Sequence, residues 1–368
     1  MAKRYRVGII GRTGHGNYGH GLDTVWKEIE RAEVVAVSDD DPAGLAQAKD
    51  RTGAPAAYAD YRQMLEKEKL EIVAIAPRWL DRHRELVLAA AEHGCHIYME
   101  KPFCRDLTEA DEMVRACEMR HLKLAIAHQT RWSPVVDVVR RELKNGIIGK
   151  VLEVRCRGKE DARGGGEDLW VLGSHVLDLM RAFAGDPADC HAVVREKGRP
   201  VGKSDVREGN EGIGPLAGDS VQATYALPGG VTGFFGSTRG AGGNPARFGL
   251  QIFGSGGVIE FLSGPLTPCH VLQDPGWSPG RSGKEWVAIT SNGVGKPETL
   301  KGSSLNLGNV WAVNDLIDCI ERPEKQPRCG LADARWTVEM IAGIFESHRV
   351  GKTVALPLEN RKNPLTML

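Results

Sequence analysis

The sequence predicts an α/β protein in two parts: a doubly wound parallel domain, then a second α/β domain whose sheet is open and mostly antiparallel. Three observations carry this expectation. At 368 residues the chain exceeds what one ordinary core holds. In its first third, apolar runs of four to six residues alternate with helical stretches of ten to fifteen, the spacing of βαβ units. Beyond residue 151 the strand-like runs are separated by Gly and Pro turns, as in a meander.

The elements follow in order. YRVGII (5–10) reads as a buried strand, followed by a glycine-rich loop. In LDTVWKEIERA, Leu22, Val25, Trp26 and Ile29 recur at helical spacing and predict an amphipathic helix. Val34 to Val37 is a strand ending in Ser38 and three aspartates; Pro42 then opens a helix that Gly53 caps. IVAIAP (72–77) is a strand, ELVLAAAEHG a helix, HIYME a strand, LTEADEMVRACEMRH a helix and KLAIAH a strand. After the helix PVVDVVRRELKNG come the strand VLEVRCRG (151–158), the runs GDSVQATYALPGG, VTGFFGSTRG and RFGLQIFGSGGVIEFLSG, and two closing helices, NVWAVNDLIDCIER and ARWTVEMIAGIFESHRVG. Between strands, GRPVGKSDVREGNEGIGPLAGD is a long polar loop, a lid or subunit contact on one reading and disordered on the other.

The loop after the first strand contains Gly14, Gly16 and Gly19 in the order G-x-G-x-x-G, with Gly11 ending the strand itself. Such glycines let backbone approach a pyrophosphate, which then meets the N-H groups of a following helix. Either Gly11, Gly14 and Gly16 or Gly14, Gly16 and Gly19 make the close contacts. Asp39 ends the second strand 20 residues after Gly19, where an acid accepts hydrogen bonds from a ribose diol. Together these predict a Rossmann dinucleotide-binding domain. With Asp40 and Asp41 beside Asp39, the 2′-phosphate of NADP is repelled and NAD is the expected cofactor, although Arg12 is a guanidinium within reach of such a phosphate. YMEKPF (98–103) places Glu100 and Lys101 at the carboxyl end of a strand, where ligands of these sheets sit. A lysine there can stabilise an alkoxide or pass a proton. Pro102 fixes the backbone behind it, through a cis bond on one reading. An ordinary surface ion pair and a strand stop are the plain alternatives.

Six stretches together resemble the Gfo/Idh/MocA oxidoreductases, the group of glucose-fructose oxidoreductase and inositol 2-dehydrogenase: VGIIGRTGHGNYG, the Asp39 strand end, IAPRWLDRH, MEKPF, AHQTRWSP and GGGEDLWVLGSHVLDLM. The resemblance implies a Rossmann NAD-binding domain over 1–127 and a substrate-binding and oligomerisation domain over 128–368, with substrate held between them. It makes Lys101 and His175 catalytic, and places Pro77, Glu100 and Gln129 with the cofactor and Arg131 and Trp170 with the substrate. Gln129 stands where the family usually has asparagine. Val171 stands where many of its dehydrogenases have an aspartate, so proton handling falls to Lys101 and His175. Asp178 is an orienting partner or a structural contact, and His83 and Arg131 match motif positions that also suit a purely structural role.

Composition narrows the rest. Lys plus Arg and Asp plus Glu both total 48, for zero net charge, which argues against a nucleic-acid partner. No secretory or membrane-spanning stretch is evident, so a cytoplasmic protein with no membrane association is expected. Eight dispersed cysteines without a C-x-x-C pair suggest reduced thiols, and neither they nor HGCH (93–96) suggest a metal site. His15 and His20 flank the glycine loop and touch phosphate or solvent. Trp79, Trp132 and Trp170 suit a sugar face or core packing. The expected activity is hydride transfer between NAD and a hydroxyl-bearing carbon of a sugar, cyclitol or derivative, by a homo-oligomer. Two alternatives stand beside it: redox-neutral elimination or glycoside cleavage through transient oxidation, and a non-catalytic dinucleotide-binding regulator.

Overall fold

A computed structural model describes residues 3–302 and 304–368. Its contacts divide the chain into two compact units: Met1–Gln129 with Asn210–Gly214 and Ser304–Val338, and Thr130–Gly209 with Pro215–Ser303 and Glu339–Leu368.

The first unit is built on six parallel strands: β1 (Tyr5–Ile10), β2 (Ala32–Ser38), β3 (Ala56–Tyr58), β4 (Ile72–Ile75), β5 (His96–Met99) and β6 (Leu124–Ile126). Their order, β3-β2-β1-β4-β5-β6, is that of a dinucleotide-binding Rossmann sheet, reversing direction between β1 and β4. Strands covered by helices on both faces must be apolar throughout, and β4 is buried at every residue. The crossover helices are α1 (Pro42–Thr52), α2 (Tyr61–Lys67), α3 (His83–Glu92) and α4 (Leu107–Glu118). Helix α1 starts where Asp41 accepts from the Gly44 amide (2.6 Å) and stops at Gly53, left-handed at φ 73°. Asp106 caps α4 in the same way, accepting from the Glu109 amide. The pair β3 and α2 escaped the sequence reading: AAY is too short a run to show a period.

The stripe of Leu22, Val25, Trp26 and Ile29 is buried as expected, but not on an α-helix. Only Val25–Glu28 winds, as one short 3-10 turn. Gly14, Gly16, Gly19 and Gly21 all hold positive φ, so the right-handed turns that would nucleate a helix never follow one another. The expected helix N-terminus is therefore absent from this loop.

In the second unit, α5 (Pro134–Lys144) precedes β7 (Val151–Arg157); a single turn α6 (Gly166–Asp168) and a π turn (Leu169–Gly173) lead into α7 (Ser174–Ala184). The chain continues with β8 (Asp189–Glu196) and the two-residue strands β9 (Arg199–Pro200), β10 (Arg207–Glu208) and β11 (Pro215–Leu216). The long strands β12 (Ser220–Leu227), β13 (Val231–Thr238), β14 (Gly249–Gly254) and β15 (Gly257–Leu262) come next. Then β16 (Cys269–Leu272), the turn α8 (Pro279–Ser282), β17 (Val287–Thr290) and β18 (Gly293–Val294) lead to α9 (Leu305–Glu321). Helix α10 (Leu331–Val350) and β19 (Val354–Ala355) close the chain. Ten of these strands run in the order β18-β17-β16-β15-β14-β7-β13-β12-β8-β19, with β9 beside β8. Only the β13-β7 pair is parallel, so the sheet is mostly antiparallel as expected. The long polar loop carries structure: β10 pairs with β11, and residues 210–214 pack with the first unit. Residues 304–338, α9 included, do likewise. All eight cysteines are buried free thiols. Among the described residues no helix is long and apolar enough to cross a membrane.

Candidate functional site

At the carboxyl end of β5 the chain turns through Glu100 and Lys101, and the Lys101–Pro102 bond is cis. Glu100 is wholly buried and Lys101 nearly so, which excludes a simple surface ion pair. One Glu100 oxygen accepts from the His20 amide (2.8 Å) and lies 2.7 Å from His20 Nδ1; the other accepts from the Lys101 amide (3.0 Å). Burial alone would raise this carboxyl, but the His20 hydrogen bonds and the charges of His20 and Lys101 outweigh it, and it sits below the usual range. His20 is fixed in turn, since its carbonyl accepts from Asn309 Nδ2 (2.9 Å), and Asn309 Oδ1 accepts from the Tyr98 hydroxyl (2.7 Å). His20 thus holds Glu100 in place. Its position directly after Gly19 is the only sequence signal of that task, and Asn309, over 200 residues from β5, gave none.

The four loop glycines differ in what they permit. A side chain at Gly11 would overlap the Tyr18 ring, one at Gly16 the backbone of Arg78 and Trp79, and one at Gly19 the Glu100 carboxylate. Gly14 faces open space. Several loop amides are also engaged: Arg12 and Asn17 donate across a two-residue bridge, Gly14 to Asn17 Oδ1 (2.9 Å), and Thr13 to Asp39 (3.1 Å). His15 packs edge-on against Trp79, with centroids 4.6 Å apart.

Asp39 is almost fully buried. Its oxygens accept from the Thr13 amide, the Thr13 hydroxyl (2.8 Å) and the Asp41 amide (3.0 Å). A cavity of about 190 Å³ opens at the carboxyl ends of β1, β2 and β4, bordered by Gly11, Arg12, Asp40, Arg62, Pro77 and Arg82. His83 ties the segments beyond β4 and β5 together, its ring bridging the Pro77 carbonyl (2.8 Å) and the Pro102 carbonyl (2.9 Å). Gln129 is buried against Gly308 of α9.

In the second unit His175 lies in the first turn of α7, 9% exposed, edge-on to Phe248. Arg131 and Asp178 form a buried ion pair at 2.7 Å, with Arg131 Nη1 also donating to the Asp178 carbonyl. Val171 and Trp170 are buried in the π turn. Asp168, the nearest acid in sequence, accepts from Ser237 Oγ (2.5 Å) and the Glu160 amide (3.1 Å), and its burial lifts it above the usual carboxylate range. It braces β13 and so does not replace the missing aspartate.

Two family profiles match the chain: one described as oxidoreductase family, NAD-binding Rossmann fold, over residues 5–128, and the GFO/IDH/MocA C-terminal domain over 136–260. The chain belongs to the Gfo/Idh/MocA oxidoreductase family. Among similar proteins, D-apiose dehydrogenase of Paraburkholderia graminis is 32% identical over 214 residues, covering 55% of this chain and 56% of its own length. Levoglucosan dehydrogenase of Pseudarthrobacter phenanthrenivorans is 27% identical over 250 residues, covering 61% and 64%. The matched segment thus spans about half to two thirds of the length of these curated relatives. A levoglucosan dehydrogenase structure in complex with NADH and levoglucosan superposes with TM-score 0.78 at 21% identity, covering 97% of this chain and 100% of that one. At such identity the likeness establishes the fold of this Gfo/Idh/MocA chain.

Proposed function

We propose that the protein is an NAD-dependent oxidoreductase moving hydride between nicotinamide and a hydroxyl-bearing carbon of a sugar, cyclitol or related polyol. The observation that carries this reading is the Glu100–Lys101 pair: a charged dyad buried at the carboxyl end of β5 of a Rossmann sheet, its carboxylate aimed by His20. Relatives named for D-apiose and levoglucosan support the substrate class.

Residues 1–127, with Gln129 just beyond them, hold the dinucleotide in this proposal, through Gly11, Gly14, Gly16, Gly19, Pro77, Glu100 and Gln129, with Asp39 bracing the loop. Residues 128–368, apart from 210–214 and 304–338, which pack with the first unit, bind substrate and join subunits of a cytoplasmic homo-oligomer, with Arg131 and Trp170 on the substrate side. The cavity bordered by Gly11 and Pro77 fits one end of a dinucleotide, being below the ~300–1,000 Å³ of sites that enclose a whole drug-sized ligand. When bound, NAD supplies the hydride acceptor or donor. As the neutral amine, Lys101 takes the hydroxyl proton while the carbon is oxidised, and as the ammonium it returns the proton in reduction, with His175 as the second proton carrier. Glu100 holds the Lys101 backbone amide and sets its charge environment.

Screening a panel of sugars and inositols for NADH formation tests the proposal. The wild type turns over at least one of them, and Lys101→Ala lowers kcat by about 10²–10⁴-fold, the usual worth of a proton-transfer group.

A further inference from the structure

A hydrogen-bonded circuit within the first unit starts and ends at the carboxyl end of β5. Tyr98 is fully buried, and burial raises its phenol well above the usual range, so it stands as a donor to Asn309 Oδ1 (2.7 Å). That bond fixes the orientation of the Asn309 amide, whose Nδ2 donates to the His20 carbonyl (2.9 Å). His20 turns its amide and its ring Nδ1 to one oxygen, Glu100 Oε1, at 2.8 and 2.7 Å. An ionised carboxylate only accepts, so Nδ1 carries the hydrogen. The other Glu100 oxygen takes the Lys101 amide (3.0 Å), two residues after the tyrosine's neighbour on the strand. Apolar side chains of like volume could fill such a space at little cost in stability; what the polar circuit adds is direction.

Resting on the oxidoreductase reading above, we infer that His20 and Asn309 are positioning residues of the proposed reaction, acting on Lys101 through Glu100. Proton transfer needs the lysine nitrogen within hydrogen-bond reach of the reacting hydroxyl, and a misplacement of about 1 Å can cost ~10²-fold in rate. Glu100 holds the Lys101 backbone with one oxygen and is itself held by His20 through the other. Helix α9, from the far end of the chain, thereby sets the aim of the lysine through Asn309.

Steady-state kinetics at saturating NAD⁺, on a sugar or inositol that the wild type oxidises and well below the Tm of every variant, test the inference. Asparagine puts its amide nitrogen where the imidazole has Nδ1, whereas glutamine puts it where the ring has Nε2. His20→Asn is expected to keep kcat within about threefold of the wild type, while His20→Gln and Asn309→Leu lower kcat about tenfold or more with KM for the sugar little changed. In His20→Gln/Asn309→Leu the two losses do not multiply, as for links of one chain. The inference falls if His20→Asn is as slow as His20→Gln, if the losses multiply, or if every variant keeps the wild-type kcat, and the oxidoreductase reading survives each of these. A wild type that oxidises none of the panel overturns both together.

Discussion

A buried charge survives only where its partners repay the lost hydration, and Glu100 shows the balance. Its folded pKa lies below the 4.5 of an ordinary glutamate, because the His20 and Lys101 interactions exceed the burial that opposes them. The ionised form therefore adds stability that is full above pH 4.5 and is lost as pH falls through the lower folded value. The Tm gap between wild type and Glu100→Gln is expected to be widest near neutrality and to close below pH ~4.5, as read by thermal melts across pH. Arg131 gives a second prediction. Deleting its guanidinium removes the buried cation opposite Asp178, so Arg131→Met is expected to lose about 3–5 kcal/mol in denaturant unfolding. Sequence made the identities of Glu100, Lys101, His83 and Arg131 visible, because motifs are local. It gave no account of what surrounds them, since Asp178 reaches Arg131, and Asn309 reaches the His20 behind Glu100, only through tertiary folding.

Among elements, the glycine loop departs furthest from its sequence pattern. G-x-G-x-x-G suggested glycines making way for a ligand, yet Gly16 and Gly19 make way for the protein itself, for the Arg78–Trp79 backbone and for Glu100. All three motif glycines hold positive φ, so alanine at any of them carries left-handed strain of about 1–2 kcal/mol. Only at Gly16 and Gly19 does a steric clash add to it. Gly16→Ala and Gly19→Ala are expected to lower Tm more than Gly14→Ala; equal losses would mean that the packing around the loop is not as described. The predicted helix failed here for the same reason: its apolar period is real and buried, but the turns before it leave one 3-10 turn. In α1, whose internal Gly44 does not hold positive φ, the Pro42 start and the Gly53 cap read from sequence hold.

Across the whole molecule, the alternation of short apolar runs with helical ones was enough to specify a parallel sheet. The strand order β3-β2-β1-β4-β5-β6 then explains why β1, β4 and β5 deliver the glycine loop, Pro77 and Glu100–Lys101 at their carboxyl ends. The second sheet was legible as a meander, while the return of residues 304–338 to the first unit was not, because helix α9 carries its apolar pattern without stating against what it packs. Oxidation at a carbinol needs both a hydride acceptor and a base for the proton, and the proposed function assigns that base to Lys101. The most direct measurement is NADH formation from a responsive sugar or inositol by wild type and Lys101→Ala, with the NAD⁺ Kd of each determined alongside. Turnover in the wild type, falling at least a hundredfold in the variant at unchanged NAD⁺ Kd, is the predicted result; turnover undiminished without the lysine would contradict it.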